Sequence, residues 1–351
     1  MTARGESAGS RAIPFEKLGC DEGVMEAFDA VNGELVREGR PCVPGRVVSL
    51  DRGFPMVRTR EDEVRAELSA AIKKSEDGIV AVGDWVALAQ PEGHDKAIVE
   101  RVLPRRTELA RVKRVGRERA PRRQVLAANV DTVFICQALT GGGPDFNLLV
   151  RQMAAVMGCG AVPVFLFTKG DLVDDSHVEE WRSKAGRIAP DVTCAVVSED
   201  DAASIEGVRA MCPAGTTGLL LGESGVGKSS LVNALAGMEV ADVGEVRASD
   251  DKGRHTTVAR RMLEVPGGGA IIDAPGLRTL QILDVDECLH AAFPDVYDAA
   301  QRCRFSDCAH ESEPGCAVRE EVNPERLEAY RHLLGSDWRK RGASYAYTHG
   351  Q

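Results

Sequence analysis

The chain has 351 residues, 43% of them hydrophobic and a formal net charge of −10. That length suggests two or three domains with enough apolar material for packed cores, and the acidic balance argues against nonspecific nucleic-acid binding by the whole chain. The start, Met1-Thr-Ala-Arg-Gly-Glu-Ser7, lacks the apolar stretch of a secretory signal, and the longest uncharged apolar run (154–167) carries two glycines and a proline and is too short for a span. A cytoplasmic protein is expected, with its scattered cysteines (20, 42, 136, 159, 194, 212) reduced.

Residues 1–40 are polar and read as a partly ordered extension, in which 15–37 has the length for one short helix. From 41 to 104 the pattern turns to short β segments: Arg46-Val-Val-Ser-Leu50, then 54–59, 63–68, 83–88 and 97–102. Five strands in so short a stretch predict a small closed barrel, most economically the oligonucleotide-binding fold. Ten Lys or Arg residues lie between Arg101 and Arg123, opposed only by Glu108 and Glu118. Residues 105–123 therefore read as a basic linker, either a solvated connector or an arm that contacts phosphates. No aromatic interleaves with the charges, so stacking on bases is not supported there.

From 124 to 283 strands and helices alternate, which predicts a mostly parallel sheet with ligand loops at the strand ends. The organising stretch is Gly222-Glu223-Ser224-Gly225-Val226-Gly227-Lys228-Ser229, with Ser230 next, lying between a short apolar strand (217–221) and a helical pattern (230–236). This is the phosphate-binding loop pattern. Its glycines let backbone N–H groups turn toward phosphate oxygens, Lys228 reaches the β- and γ-phosphates, and Ser229 offers a hydroxyl to Mg²⁺. Asp273-Ala-Pro-Gly276 ends a later strand; there Asp273 can hold Mg²⁺ and the Gly276 N–H can meet the γ-phosphate. Between them, Gly253-Arg-His255-Thr256-Thr257 occupies the place of a switch, with Thr256 or Thr257 free to close over Mg²⁺ and the γ-phosphate.

Thr168-Lys169-Gly170-Asp171 resembles the guanine-reading loop of GTPases. Asp171 can accept from guanine N1–H and its exocyclic amine, Lys169 can cover the base, and Ser198 stands where those proteins place the backbone that meets O6. These base loops precede the phosphate loop, whereas ordinary GTPases place them after it. A sheet survives such cutting and rejoining at exposed loops. Beyond Gly276 the chain leaves the domain directly, so the next module is tethered to the γ-phosphate sensor.

That module, residues 284–340, carries Cys303-x4-Cys308-x-His310-x5-Cys316. Three thiols and an imidazole in so short and polar a segment suit one structural, tetrahedral Zn²⁺. Asn323-Pro-Glu-Arg-Leu327 starts a helix ending near Gly335, and residues 341–351 are a tail.

Together these motifs resemble the circularly permuted ribosome-biogenesis GTPases of the ribosome small-subunit-dependent GTPase A family, over about residues 40–335. The resemblance implies an N-terminal oligonucleotide-binding barrel, a central permuted GTPase domain and a C-terminal zinc domain. It further implies GTP and GDP as ligands, late maturation of the 30S subunit, binding of 16S rRNA, and hydrolysis stimulated by the small subunit. A monomer without membrane contact satisfies all of this. Two features depart from the pattern. Thr168 stands where Asn is usual, which predicts weaker guanine binding, and the basic linker is long. Leu277 occupies the position of a water-orienting Gln, so His255 or the ribosome must supply that function. A nonhydrolysing scaffold and an ATP-dependent enzyme are the rival readings; intact Lys228, Ser229 and Asp273 oppose the first and Asp171 opposes the second.

Overall fold

The computed structural model describes residues 15–51, 54–74, 80–91, 96–113, 122–239, 260–274, 277–280 and 284–335. The switch segment with His255, Thr256 and Thr257, as well as Gly276 and the tail, lies outside the described residues.

The N-terminal segment is more than an extension. After a 3-10 turn at Phe15–Leu18, helix α1 (Glu22–Arg37) begins where the Asp21 carboxylate accepts the Val24 N–H at 2.9 Å. Val24, Phe28 and Leu35 share one face and are buried, as are Phe15 and Leu18. The segment reads as a partly ordered extension in sequence because its apolar residues are sparse, yet they fall at helical spacing and find a receiving surface. Phe15 meets Trp85 edge-on at 5.7 Å.

Strands β1 (Val43–Asp51), β2 (Phe54–Arg58), β3 (Glu63–Leu68), β4 (Trp85–Ala89) and β5 (Ala97–Val102), with the short α2 (Ala70–Lys74) after β3, form the expected barrel. Pairings run β1–β2–β3–β5–β4 and close through β4 on β1, with β3 and β5 parallel. Val47, Val57, Val86, Leu88 and Val99 fill its interior.

The basic linker is instead an antiparallel hairpin, β6 (Glu108–Lys113) with β7 (Arg122–Ala128). Several of its cations serve the fold. Arg105 forms a fork on buried Asp84 at 2.7 and 2.8 Å, Arg106 pairs with Asp21, and Arg123 pairs with Glu108 at 3.2 Å. Composition shows their charge; only the packed chain shows these partners.

The central sheet holds β8 (Thr132–Ala138), β9 (Val162–Thr168), β10 (Thr193–Val197), β11 (Thr217–Leu221), β12 (Arg261–Glu264) and β13 (Ala270–Asp273). Its order is β10-β9-β8-β11-β13-β12, parallel except for β12. Helices α3 (Phe146–Gly158) and α4 (Asp175–Ile188) bury residues in the core of one face; α5 (Ala202–Ala210) and α6 (Lys228–Ala236) do so on the other. Near-continuous apolar strands such as Val-Pro-Val-Phe-Leu-Phe-Thr in β9 suit a sheet covered on both faces. The last module contains α7 (Val285–Ala292), α8 (Pro294–Ala300), α9 (Ala317–Glu321) and α10 (Pro324–Gly335), with α7 packed on α3.

Barrel and sheet join where β1 pairs β12 at Ser49 and Arg261. Arg46, 1% exposed, locks this junction: its guanidinium donates to the carbonyls of Gly83 (3.2 Å), Asn129 (2.8 Å) and Leu18. Burial lowers its pKa to about 10, still far above neutrality. Arg46→Met takes a donor from three buried carbonyls, of which Gly83 keeps the Asn129 amide at 3.0 Å, and is expected to cost about 3–5 kcal/mol. Chemical denaturation read by circular dichroism checks this, and a loss under about 1 kcal/mol would remove Arg46 from that role.

Candidate nucleotide cleft and Cys/His cluster

The phosphate loop joins the end of β11 to the start of α6. A Cβ on Gly222 would sit 2.5 Å from the Cys136 carbonyl, so the loop can leave the sheet this tightly only with glycine there. Gly227, at φ +92°, turns the chain into α6 as its N-cap. Lys228 bends back over the loop, its ammonium donating to the carbonyls of Gly222 (2.7 Å) and Glu223 (2.5 Å). Burial lowers its pKa, with the nearby Arg278 charge adding to this. Asp273, at the end of neighbouring β13, has its pKa raised by burial and pulled back by Arg261 and Lys228. A buried carboxylate in that position gains from a cation beside it.

The base loops converge on the same place. Thr168, Lys169, Asp171, Leu172, Gly227 and Leu231 line one cleft of ≈ 200 Å³, together with Glu199 and Asp200. Strands β9 and β10 deliver the base side; the turn into α6 delivers the phosphate side. Lys169 sits at φ +60°, which turns Gly170–Leu172 into a single 3-10 turn. There the Asp171 N–H donates to Ser198 Oγ at 3.1 Å, tying one base loop to the other. Ser198's own N–H points to Ser204 Oγ at 3.2 Å.

Thr168 does more than substitute for Asn. Its hydroxyl lies 2.6 Å from the Val226 carbonyl and 3.3 Å from that of Gln137. It thereby bonds the base loop to the phosphate loop across 58 residues of sequence. Glu199 and Asp200 escape a reading of the sequence, and their only signal there is adjacency to Ser198 at the end of β10.

In the last module Cys303, Cys308, His310 and Cys316 place their ligand atoms within 4.8 Å of one another. The Cys303 and Cys316 sulfurs are 3.9 Å apart, and His310 Nδ1 stands 3.6 and 3.5 Å from them. Tetrahedral zinc with ordinary bond lengths spaces sulfurs by roughly 3.8 Å and sulfur from nitrogen by roughly 3.6 Å. The donor set and its spacing fit that ion. The N–H groups of Val318 and Ala317, at the start of α9, hold the Cys303 thiol below its usual pKa and so favour thiolate. Glu313, unforeseen from sequence, folds the ligand loop: its carboxylate accepts from Ala309 (2.8 Å), Glu311 (2.8 Å) and Ser312 (3.0 Å). Its own backbone N–H, together with those of Ala309, Glu311 and Ser312, holds its pKa down to about 2.

Comparison with known proteins agrees with this arrangement. The RsgA GTPase family model matches residues 102–283. A relative from Streptomyces coelicolor, called small ribosomal subunit biogenesis GTPase RsgA, is 39% identical over 95% of this chain and 89% of its own. One of the same name from Opitutus terrae is 44% identical over 91% and 87%. The crystal structure of YjeQ from Thermotoga maritima shares the fold at a TM-score of 0.62 and 24% identity, covering 84% of this chain and 99% of that one. The chain belongs to the RsgA GTPase family and is a GTP-hydrolysing enzyme.

Proposed function

We propose that this GTPase binds guanine nucleotide in the cleft between Asp171 and Gly227, and that its cycle serves late maturation of the 30S ribosomal subunit. In this reading Asp171 reads the base and Lys169 covers it. The 222–230 loop, with Glu223, Ser224, Val226 and Ser230 supplying its backbone, cradles the phosphates. Lys228 exchanges its two carbonyl partners for phosphate oxygens. Ser229 and Asp273 hold Mg²⁺, which when bound neutralises charge on the β- and γ-phosphates. Gly276 senses the γ-phosphate, and Thr256 or Thr257 closes over it. The observation that carries the reading is the single cleft lined by both the base loop and the phosphate-loop turn.

Leu277 is 5% exposed and sits in the core, so it has no part in orienting water. His255, or a group supplied by the ribosome, takes that role. The relatives' shared name supports the small subunit as partner. The barrel and the exposed charges of the hairpin are the surfaces offered to 16S rRNA, and a monomer suffices. Among the described residues no helix is long and apolar enough to cross a membrane. One zinc ion braces the last module through Cys303, Cys308, His310 and Cys316.

The test is GTP turnover across a titration of purified 30S particles. Turnover should rise with added subunits, and His255→Ala should lower the stimulated rate about 100-fold, equivalent to ~2.7 kcal/mol of barrier, with GTP binding retained. A flat titration sinks the ribosomal assignment; an unchanged His255→Ala rate sinks the assignment to that side chain alone.

A further inference from the structure

Helix α3 carries a polar residue inside its buried face, Gln152, at 2% exposure among Leu149, Met153 and Val156. Its Oε1 accepts the Leu280 N–H at 2.8 Å, across 128 residues of sequence. Its Nε2 is buried and has no hydrogen-bond partner among the described residues. Leu280 lies on the stretch that leaves Asp273-Ala-Pro-Gly276, and residues 277–280 belong to no helix or strand. They are pinned by Leu277 and Leu280 in the core, at 5% and 3% exposure, and by the bond to Gln152. Farther along the chain, α7 packs against the same helix: a Cβ on Gly158 of α3 would lie 2.2 Å from Cys288 Sγ. Helix α3 thus touches both the exit of the γ-phosphate loop and the first helix of the Cys/His module.

We propose that Gln152 is the positioning residue that seats the 277–280 segment against α3, and that nucleotide state reaches α7 through this contact. The inference rests on the reading that GTP occupies the cleft and is sensed at 273–276. A buried amide costs free energy unless its polar atoms are bonded, so each of its two ends calls for a partner. Oε1 serves the observed position of the segment. Nε2, a donor left over in that position, can take a carbonyl of the same segment once it shifts. One side chain then satisfies two seatings, which makes the segment a two-position element rather than a slack tether.

The experiment compares wild type, Gln152→Met and Gln152→Glu in the full chain, with GDP or a nonhydrolysable GTP analogue. Hydrogen exchange is read at the Leu280 amide and over 284–300, beside nucleotide affinity and steady-state turnover. In wild type the Leu280 amide should exchange about tenfold faster with the GTP analogue than with GDP. Gln152→Met should make it fast in both states and lower kcat about tenfold with KM little changed. Gln152→Glu keeps the acceptor and loses the donor, so protection with GDP should persist while the response over 284–300 disappears. Equal Leu280 exchange in the two wild-type states overturns the proposal, as does a Gln152→Met protein with wild-type kcat and wild-type response. Wild-type protein that binds no guanine nucleotide would show instead that the cleft reading has failed, and this inference with it.

Discussion

Removing the metal ligands is expected to unravel residues 301–318 while the nucleotide cleft stays folded. Cys316→Ser should drop bound zinc from one per chain to none, and chelation of the unmodified protein should do the same. The reason is where the apolar contacts lie. Helices α7, α8 and α10 share a core through Leu289, Phe293, Val296, Leu327 and Leu333, so they keep partners when the ion leaves. The ligand loop between α8 and α9 has few apart from its own cysteines: Cys316 is buried, but Phe305 is 41% exposed and most of its neighbours face solvent. What shapes it is Glu313 on three backbone N–H groups plus the four ligand atoms. Structural zinc in small peptides is worth about 10–16 kcal/mol of apparent binding energy, far more than such a loop can replace. Metal analysis and hydrogen exchange together decide it. Retention of one zinc by Cys316→Ser, or unchanged protection of 303–318 after chelation, would refute the expectation.

Asp171→Asn is expected to convert a guanine site into one that prefers xanthine. An ionised carboxylate accepts from both N1–H and the exocyclic amine of guanine, and each bond to a charged acceptor is worth about 1.5–3 kcal/mol. Losing that pair should weaken GTP binding at least ~100-fold, since every 1.4 kcal/mol is tenfold. The Asn amide can instead donate to the xanthine carbonyl, so XTP should gain where GTP loses. The backbone frame should survive the change, because Ser198 Oγ bonds the Asp171 N–H rather than its side chain. Competition of GTP, XTP and ATP against labelled GTP reads all three affinities. A variant that still prefers GTP would show that the base is read elsewhere in the cleft, with Glu199 the next acceptor to change. ATP competing on equal terms with GTP in the unaltered protein would point the same way.

Thr168 marks the boundary between what the chain and what the fold reveals. Its identity and its place in a base-reading loop are legible in the sequence, and the missing Asn suggests a weaker site. The hydroxyl's bond to Val226 is not legible, because it depends on β9 and the loop after β11 meeting across the one strand, β8, that separates them. The stretch 105–123 shows the reverse error. A run of cations looks like a connector, yet β6 and β7 pair, and Arg105 finds Asp84 at the back of the barrel. Charge is a local count, whereas partnership is a matter of which surfaces meet.

The features readable before folding share a physical character: each lies within a short window whose geometry the backbone itself imposes. The phosphate loop, the Cys/His spacing, the succession of short β segments in the barrel and the reversed order of nucleotide loops are of this kind. Packing alone settles the rest. The docking of α1 on the barrel, the Arg46 junction, the Glu313 cap and the Gln152–Leu280 bond each satisfy a buried or exposed polar group, or an apolar face, with a partner that no local pattern names. An isolated amide or guanidinium in a sequence carries no record of what it will face. Only closing the core, which makes an unpaired polar group costly, chooses its partner.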